Sequence, residues 1–145
     1  MADILGYHMP DELYYHPDHT WARVDDDGMV VVGLDDFLRQ MAGGIHYIEL
    51  PELGEELMQG EACGMVECQK WVGALAAPIA GTVAEVNTAA ELEPGIVNED
   101  CYDNGWLFVL APGDLAADLS VLFHGEAQLD AWLAAELDRL DEDEE

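Results

Sequence analysis

The sequence is short of positive charge. Four lysines and arginines stand against 32 aspartates and glutamates, giving a formal net charge of −28. The four are Arg23, Arg39, Lys70 and Arg139. A surface this negative repels phosphate, so nucleic acid and anionic membrane are excluded as partners. Long apolar runs are missing as well: Trp71 to Ala80 is the longest weakly polar stretch, and Gly73 and Pro78 break it well below bilayer-spanning length. No basic segment precedes an apolar one at Met1-Ala2-Asp3-Ile4, so no export signal is expected and the reading is a soluble, cytoplasmic protein.

Cysteine is scarce. With three, at least one is unpaired in a monomer, which suits a reducing compartment. Cys63 and Cys68 are five apart in an expected strand, so their side chains should point to opposite faces. A thiol redox or metal role for Cys63, Cys68 or Cys101 is the competing reading. It lacks the cations that would favour thiolate, Lys70 beside Cys68 excepted. No paired nucleophile and base motif supports a hydrolase, and no catalytic residue is assigned. His16-Pro17-Asp18-His19 resembles a metal-binding run, but Pro17 disfavours the helix that would make the two histidines converge, so no metal ligand is assigned.

Half of the 145 residues are apolar, enough for one domain that buries about 70% of the surface its unfolded chain exposes. Carboxylates in this excess repel one another in the compact state, and salt screens them over about 10 Å at 0.1 M. The chain thus reads as acidic and halophilic, built for a saline cytoplasm. Thr20 to Val24 and Met29 to Gly33 flank the turn Asp25-Asp26-Asp27-Gly28, a hairpin pattern. Leu34, Phe37, Leu38 and Met41 recur at helical spacing behind Asp35 and Asp36, and Gly43-Gly44 ends that helix. Further strands are expected at Ile45 to Leu50, Ala62 to Glu67, Val72 to Ala77, Gly81 to Val86 and Trp106 to Leu110. A helical turn is expected at Asn87 to Leu92, and Val97 to Gly105 reads as polar loop. Helical stripes follow at Leu115, Leu119 and Leu122, then at Leu129, Trp132, Leu133, Leu137 and Leu140. Many short strands between Gly and Pro indicate a mainly β sandwich or small barrel of antiparallel sheet. The expected organisation is an irregular surface lead-in at 1–20, a β domain at 21–112, C-terminal helices packed on it at 113–140 and an acidic tail at 141–145 that frays.

The only lysine, Lys70, lies between two of these strands, in Cys68-Gln69-Lys70-Trp71. An amine at a hairpin tip is what an enzyme attaching a cofactor arm through an amide requires. Around it, His19-Thr20-Trp21-Ala22-Arg23-Val24, Val32-Gly33-Leu34-Asp35-Asp36-Phe37, Ile48-Glu49-Leu50-Pro51-Glu52-Leu53-Gly54, Gly60-Glu61-Ala62-Cys63-Gly64 and Val97-Asn98-Glu99-Asp100 with Gly105-Trp106-Leu107 occur in order. Together they resemble the glycine cleavage system H protein over roughly residues 12–124.

The resemblance implies a lipoyl-domain barrel-sandwich hybrid of two antiparallel sheets, with N-terminal and C-terminal helical additions. It implies a carrier, not an enzyme, with lipoate covalently bound to Lys70. Glu67 stands at a position for recognition by a lipoate ligase, and Trp71 is a candidate docking residue. The segments Ile4-Leu5-Gly6-Tyr7, Tyr14 to Trp21 and Lys70-Trp71-Val72-Gly73 are more similar to a sister group. Those are the lipoate-binding proteins of the heterodisulfide reductase-like sulfur-oxidation pathway. That likeness implies sulfur intermediates shuttled to a heterodisulfide reductase-like complex. The alternative is an aminomethyl carrier among glycine decarboxylase, aminomethyltransferase and dihydrolipoyl dehydrogenase. Biotin, which the same fold serves, fits Gln69 and Trp71 poorly as neighbours of the lysine.

Overall fold

The computed structural model describes residues 3–143, and of residue 3 and residues 140–143 the backbone only. In chain order the elements are β1 (Asp3–Ile4), β2 (Tyr7–His8), β3 (Tyr14–Tyr15), β4 (Thr20–Val24), β5 (Val30–Leu34), α1 (Asp36–Ala42), β6 (Ile45–Glu49), β7 (Glu56–Leu57) and β8 (Ala62–Cys68). They continue with β9 (Val72–Ala76), β10 (Gly81–Val86), α2 (Thr88–Leu92), α3 (Gly95–Glu99), β11 (Phe108–Pro112), α4 (Leu115–Leu119), β12 (Phe123–His124) and α5 (Glu126–Asp143). A seven-stranded sheet runs in the order β12-β3-β4-β5-β11-β10-β7, and a three-stranded sheet in the order β6-β8-β9. Every pairing is antiparallel. This is a mainly β, two-sheet architecture with helices added.

Strand β5, Val-Val-Val-Gly-Leu, is buried along its whole length because both its faces are covered. On one side Val30, Val32 and Leu34 share a core with Ile48, Val66 and Leu75 of the smaller sheet. On the other, Val31 joins Trp21, Val109 and the α5 residues Leu129, Trp132 and Leu133 in a second core. Gly33 has no side chain because the Trp21 indole lies on it: a Cβ there would sit 2.4 Å from the ring. The indole Nε1 donates to the Leu34 and Cys101 carbonyls, so the ring is buried without an unmet donor.

Several local expectations give way to tertiary contacts. The first twenty residues are not a surface lead-in: Ile4, Met9, Leu13 and Tyr15 are buried, and the N-terminal addition consists of short strands, not helix. Strand β3 is held between β4 and β12, so both ends of the chain share one sheet. Leu122 leaves the helical stripe, since α4 stops at Leu119 and the chain turns into β12 to pair with Tyr14 and Tyr15. Residues 97–99, the start of the stretch expected as loop, belong instead to α3, which packs on β6. Cys63 and Cys68 do not face apart. The pairing of β8 with β9 slips between Ala62 and Gly64, and this bulge turns Cys63 inward, where its thiol meets the Leu75 carbonyl at 3.4 Å. The acidic C-terminus is helical through Asp143; residues 144 and 145, and the side chain of Leu140, lie outside what is described.

Candidate functional site

The chain reverses at Cys68-Gln69-Lys70-Trp71, where the Cys68 N–H donates to the Trp71 carbonyl at 2.7 Å. This tip is not a free loop. A helix leaves its last carbonyls without partners inside the helix, and the last of α1 finds one in the turn: Lys70 N–H donates to the Ala42 carbonyl at 2.9 Å, and Gln69 N–H donates to the Gly44 carbonyl just beyond the helix at 2.8 Å. Gly43 makes the sharp exit from α1 with φ of 80°. Asn98 of α3 fixes that corner, accepting from Ile45 N–H at 2.8 Å and donating to the Gly43 carbonyl at 3.3 Å. The backbone beneath Lys70 is therefore anchored on two elements, while the side chain is exposed. Among the described residues its amine enters no ion pair or hydrogen bond.

Beside the lysine opens a cleft of about 550 Å³. Its apolar wall is Phe37, Leu38 and Met41 of α1 with Trp71 and Ala74 of the hairpin. Trp71 is exposed next to the lysine. Its ring lies back over Gly73, where a Cβ would come within 2.1 Å of it, and faces the cleft. Glu67 is exposed on the outer face of β8, opposite Tyr47 and Val72.

The polar end of the cleft holds Asp18, His19, Glu136 and Arg139. His19 has a left-handed backbone, φ 72°, unusual for a residue with a side chain. Its ring is stacked between Phe37 and Trp132, with centroids 4.8 Å away on each side. Nδ1 lies 2.9 Å from Asp35 Oδ2 and Nε2 3.4 Å from Glu136 Oε2. Burial opposes a charge on the imidazole, but Asp35 and Glu136 outweigh it and raise its pKa to about 9, so the ring is imidazolium at neutral pH. Its hydrogen bond to His19 in turn holds Glu136 down to about 2, with Arg139 assisting. Buried Asp35 also caps α1, accepting from Leu38 N–H at 2.9 Å through its other oxygen.

Among the described residues no group of three or more His, Cys, Asp or Glu side chains could hold a metal ion. His16 and His19 diverge: His16 Nδ1 accepts from its own loop at Asp18 N–H, and His19 turns to Asp35. The three cysteines are unpaired and buried. Burial pushes the Cys63 and Cys101 thiols up to about 12 and raises Cys68, which leaves all three as unreactive thiols. An exposed amine with no partner, on an anchored turn beside an apolar recess, fits amide attachment of an apolar arm. The model of the glycine cleavage H-protein family matches residues 13–133. The chain belongs to that family.

Relatives agree along nearly their full length. The probable glycine cleavage system H protein of Thermococcus gammatolerans is 41% identical over 127 residues, 88% of this chain and 94% of that one. The H protein of Anaeromyxobacter sp. (strain K) is 40% identical over 119 residues, 82% of this chain and 91% of its own. The crystal structure of an H protein from Mycobacterium marinum has a TM-score of 0.67 at 37% identity, covering 72% of this chain and 86% of that chain. H proteins are lipoyl carriers with the barrel-sandwich fold, not enzymes, and this chain is an H-protein-like carrier. Among the described residues no helix is long and apolar enough to cross a membrane.

Sequence reading singled out the lysine but missed the cleft. Phe37, Leu38 and Met41 read as core, and His19 as one half of a weak metal motif. Glu136 is 117 positions away from the histidine it contacts and lies beyond the family match. The one local signal was the aspartate pair Asp35-Asp36, too polar for the buried start of a helix unless partners await it.

Proposed function

We propose that Lys70 bears the lipoyl group, and that the protein carries an aminomethyl group from glycine decarboxylase to aminomethyltransferase in the cytoplasm. Dihydrolipoyl dehydrogenase would then restore the arm. The observation that carries the reading is the unpaired Lys70 amine on a turn braced by α1, beside a recess that suits an apolar chain. Bound there, lipoate supplies two sulfurs that open to thiols, hold a group and close again. The protein's own part is positional. The Ala42 and Gly44 carbonyls hold the backbone of the tip, Trp71 and Met41 offer apolar surface, and His19, Glu136 and Arg139 supply a charged end. The expected sulfur-oxidation role finds no support among the relatives, since those named above are all glycine cleavage H proteins.

Expression with lipoate and a lipoate ligase should add one lipoyl mass to the wild type and none to Lys70→Arg. Equal gains in both, or none in either, would remove Lys70 from the reading. Incubating the loaded protein with glycine decarboxylase and labelled glycine should then move label onto it. Absence of transfer from a loaded protein would count against the glycine role alone.

A further inference from the structure

Away from the hairpin tip, two leucines project into solvent at one corner of the small sheet. Strand β6 starts at Ile45, opposite Cys68 at the base of the turn, and runs away from it. Just past its end, Leu50 N–H donates to Glu91 Oε2 of α2 at 3.3 Å, and four residues on, Gly54 N–H donates to the Val83 carbonyl of β10 at 2.8 Å. The loop that carries Leu53 and the end of α2 that carries Leu92 are therefore held at the same corner. Helix α2 buries Ala90, and two residues further Leu92 faces away from that contact. Leu92 is 82% exposed and Leu53 64%. Single exposed leucines are ordinary, and what marks this pair is its setting. Glu52, Glu55, Glu91 and Glu93 flank the two; all four are exposed, and none enters an ion pair among the described residues. No lysine or arginine occurs between Arg39 and Lys70 or between Lys70 and Arg139, so the segments that build this corner contain neither.

We infer that the corner of Leu53 and Leu92 is a docking surface for an enzyme that works on the end of the arm, and that this enzyme presents an apolar hollow rimmed by lysine or arginine. The inference rests on the proposed carrier role. Two features choose the occupant. The first is local charge. A second copy of this chain would set the same four carboxylates against their own kind, and an anionic membrane would repel them. A basic rim both steers the approach and compensates them. The second is distance. Leu50 lies five residues of strand from Ile45, roughly 17 Å at about 3.4 Å per residue, a span comparable with that of an extended lipoyl-lysine. An enzyme whose active site receives the end of the arm has to hold the carrier away from the lysine. Contact at this corner does so and leaves the tip and the cleft clear.

The test uses the full lipoylated protein, with label moved onto it from glycine by glycine decarboxylase and off it by aminomethyltransferase, and initial rates read against carrier concentration. Leu53→Ser with Leu92→Ser should raise KM about tenfold for at least one of the two enzymes, as loss of an apolar anchor does, and leave kcat within about twofold. Glu52→Arg with Glu93→Arg, which adds no second lysine to acylate, should raise KM for the same enzyme about fivefold, an effect that shrinks at high salt. Asp26→Arg with Asp130→Arg makes the same change of net charge at exposed positions elsewhere and should leave KM as it is. So should Val121→Ser, at an exposed apolar position between α4 and β12. These side chains are outside the core, and none of the variants should melt below the wild type. Unchanged KM with both enzymes for the leucine pair, or equal KM for the two charge pairs, would overturn the inference. A wild-type dimer in sedimentation that the leucine pair abolishes would also overturn it, by giving the corner to a second copy. A wild type that gains the lipoyl mass yet takes no label would defeat the glycine role, and the inference with it.

Discussion

Raising the pH from 6 to 8 should weaken the fold, chiefly through His19. The imidazolium is held by Asp35 and Glu136, with a folded pKa of about 9 against an ordinary value of 6.5. Between those values the native state keeps a proton that the unfolded chain has released. Stability is therefore complete below pH 6.5 and declines as pH rises through 9. Taking about 1.4 kcal/mol per unit, the interval to pH 8 removes roughly 2 kcal/mol. For a chain of this size that is on the order of 5 °C in melting temperature. Stopping at pH 8 avoids the thiols, which ionise in the unfolded chain near 8.5 but are raised in the native one. His16, whose burial lowers its pKa, acts in the opposite sense below 6.5. The comparison is therefore made with His19→Asn, since asparagine tolerates the left-handed backbone at this position better than most residues. The variant should start less stable, with buried Asp35 unpaired, and should lose the wild-type decline between pH 6 and 8. A wild-type melting temperature that is flat over this interval, or an equal decline in the variant, would refute the coupling of helix α5 to the cleft through this ring.

Two glycines of the hairpin separate a close approach to side chain from one to backbone. A Cβ at Gly73 meets the Trp71 ring, which is 37% exposed and can swing outward, so Gly73→Ala should cost only about 1 kcal/mol and shift tryptophan emission to the red. At Gly64 the obstacle is the Glu49 carbonyl oxygen, 2.1 Å away, so Gly64→Ala must separate β6 from β8 and should cost about 3 kcal/mol by urea denaturation. Salt should raise the melting temperature, because a chain with 32 acids and four basic residues is strained by repulsion that ions screen. A transition independent of ionic strength between 10 mM and 1 M, values chosen to span about 30 to 3 Å of Debye length, would contradict that account.

The pattern of the chain determined much of the architecture by itself. Alternation and turn residues marked β4 and β5 around Asp25-Asp26-Asp27-Gly28, and the apolar spacing of Phe37, Leu38 and Met41 marked α1 between Asp35 and Gly43. One lysine among so many acids drew attention to the hairpin tip, because reactive amines are informative where they are rare. These features are set within a few residues, by backbone preference and side-chain period. What only the tertiary structure decided is longer in range. The place of Tyr15 in the sheet depends on β12 arriving from more than a hundred residues away, and the inward turn of Cys63 on a slipped register that no spacing rule reveals. The cleft owes its polar end to α5, whose Glu136 reaches an imidazole held by Asp35. Charge pairs of that kind depend on shared burial, and burial is a property of the packed whole that no stretch of sequence carries alone.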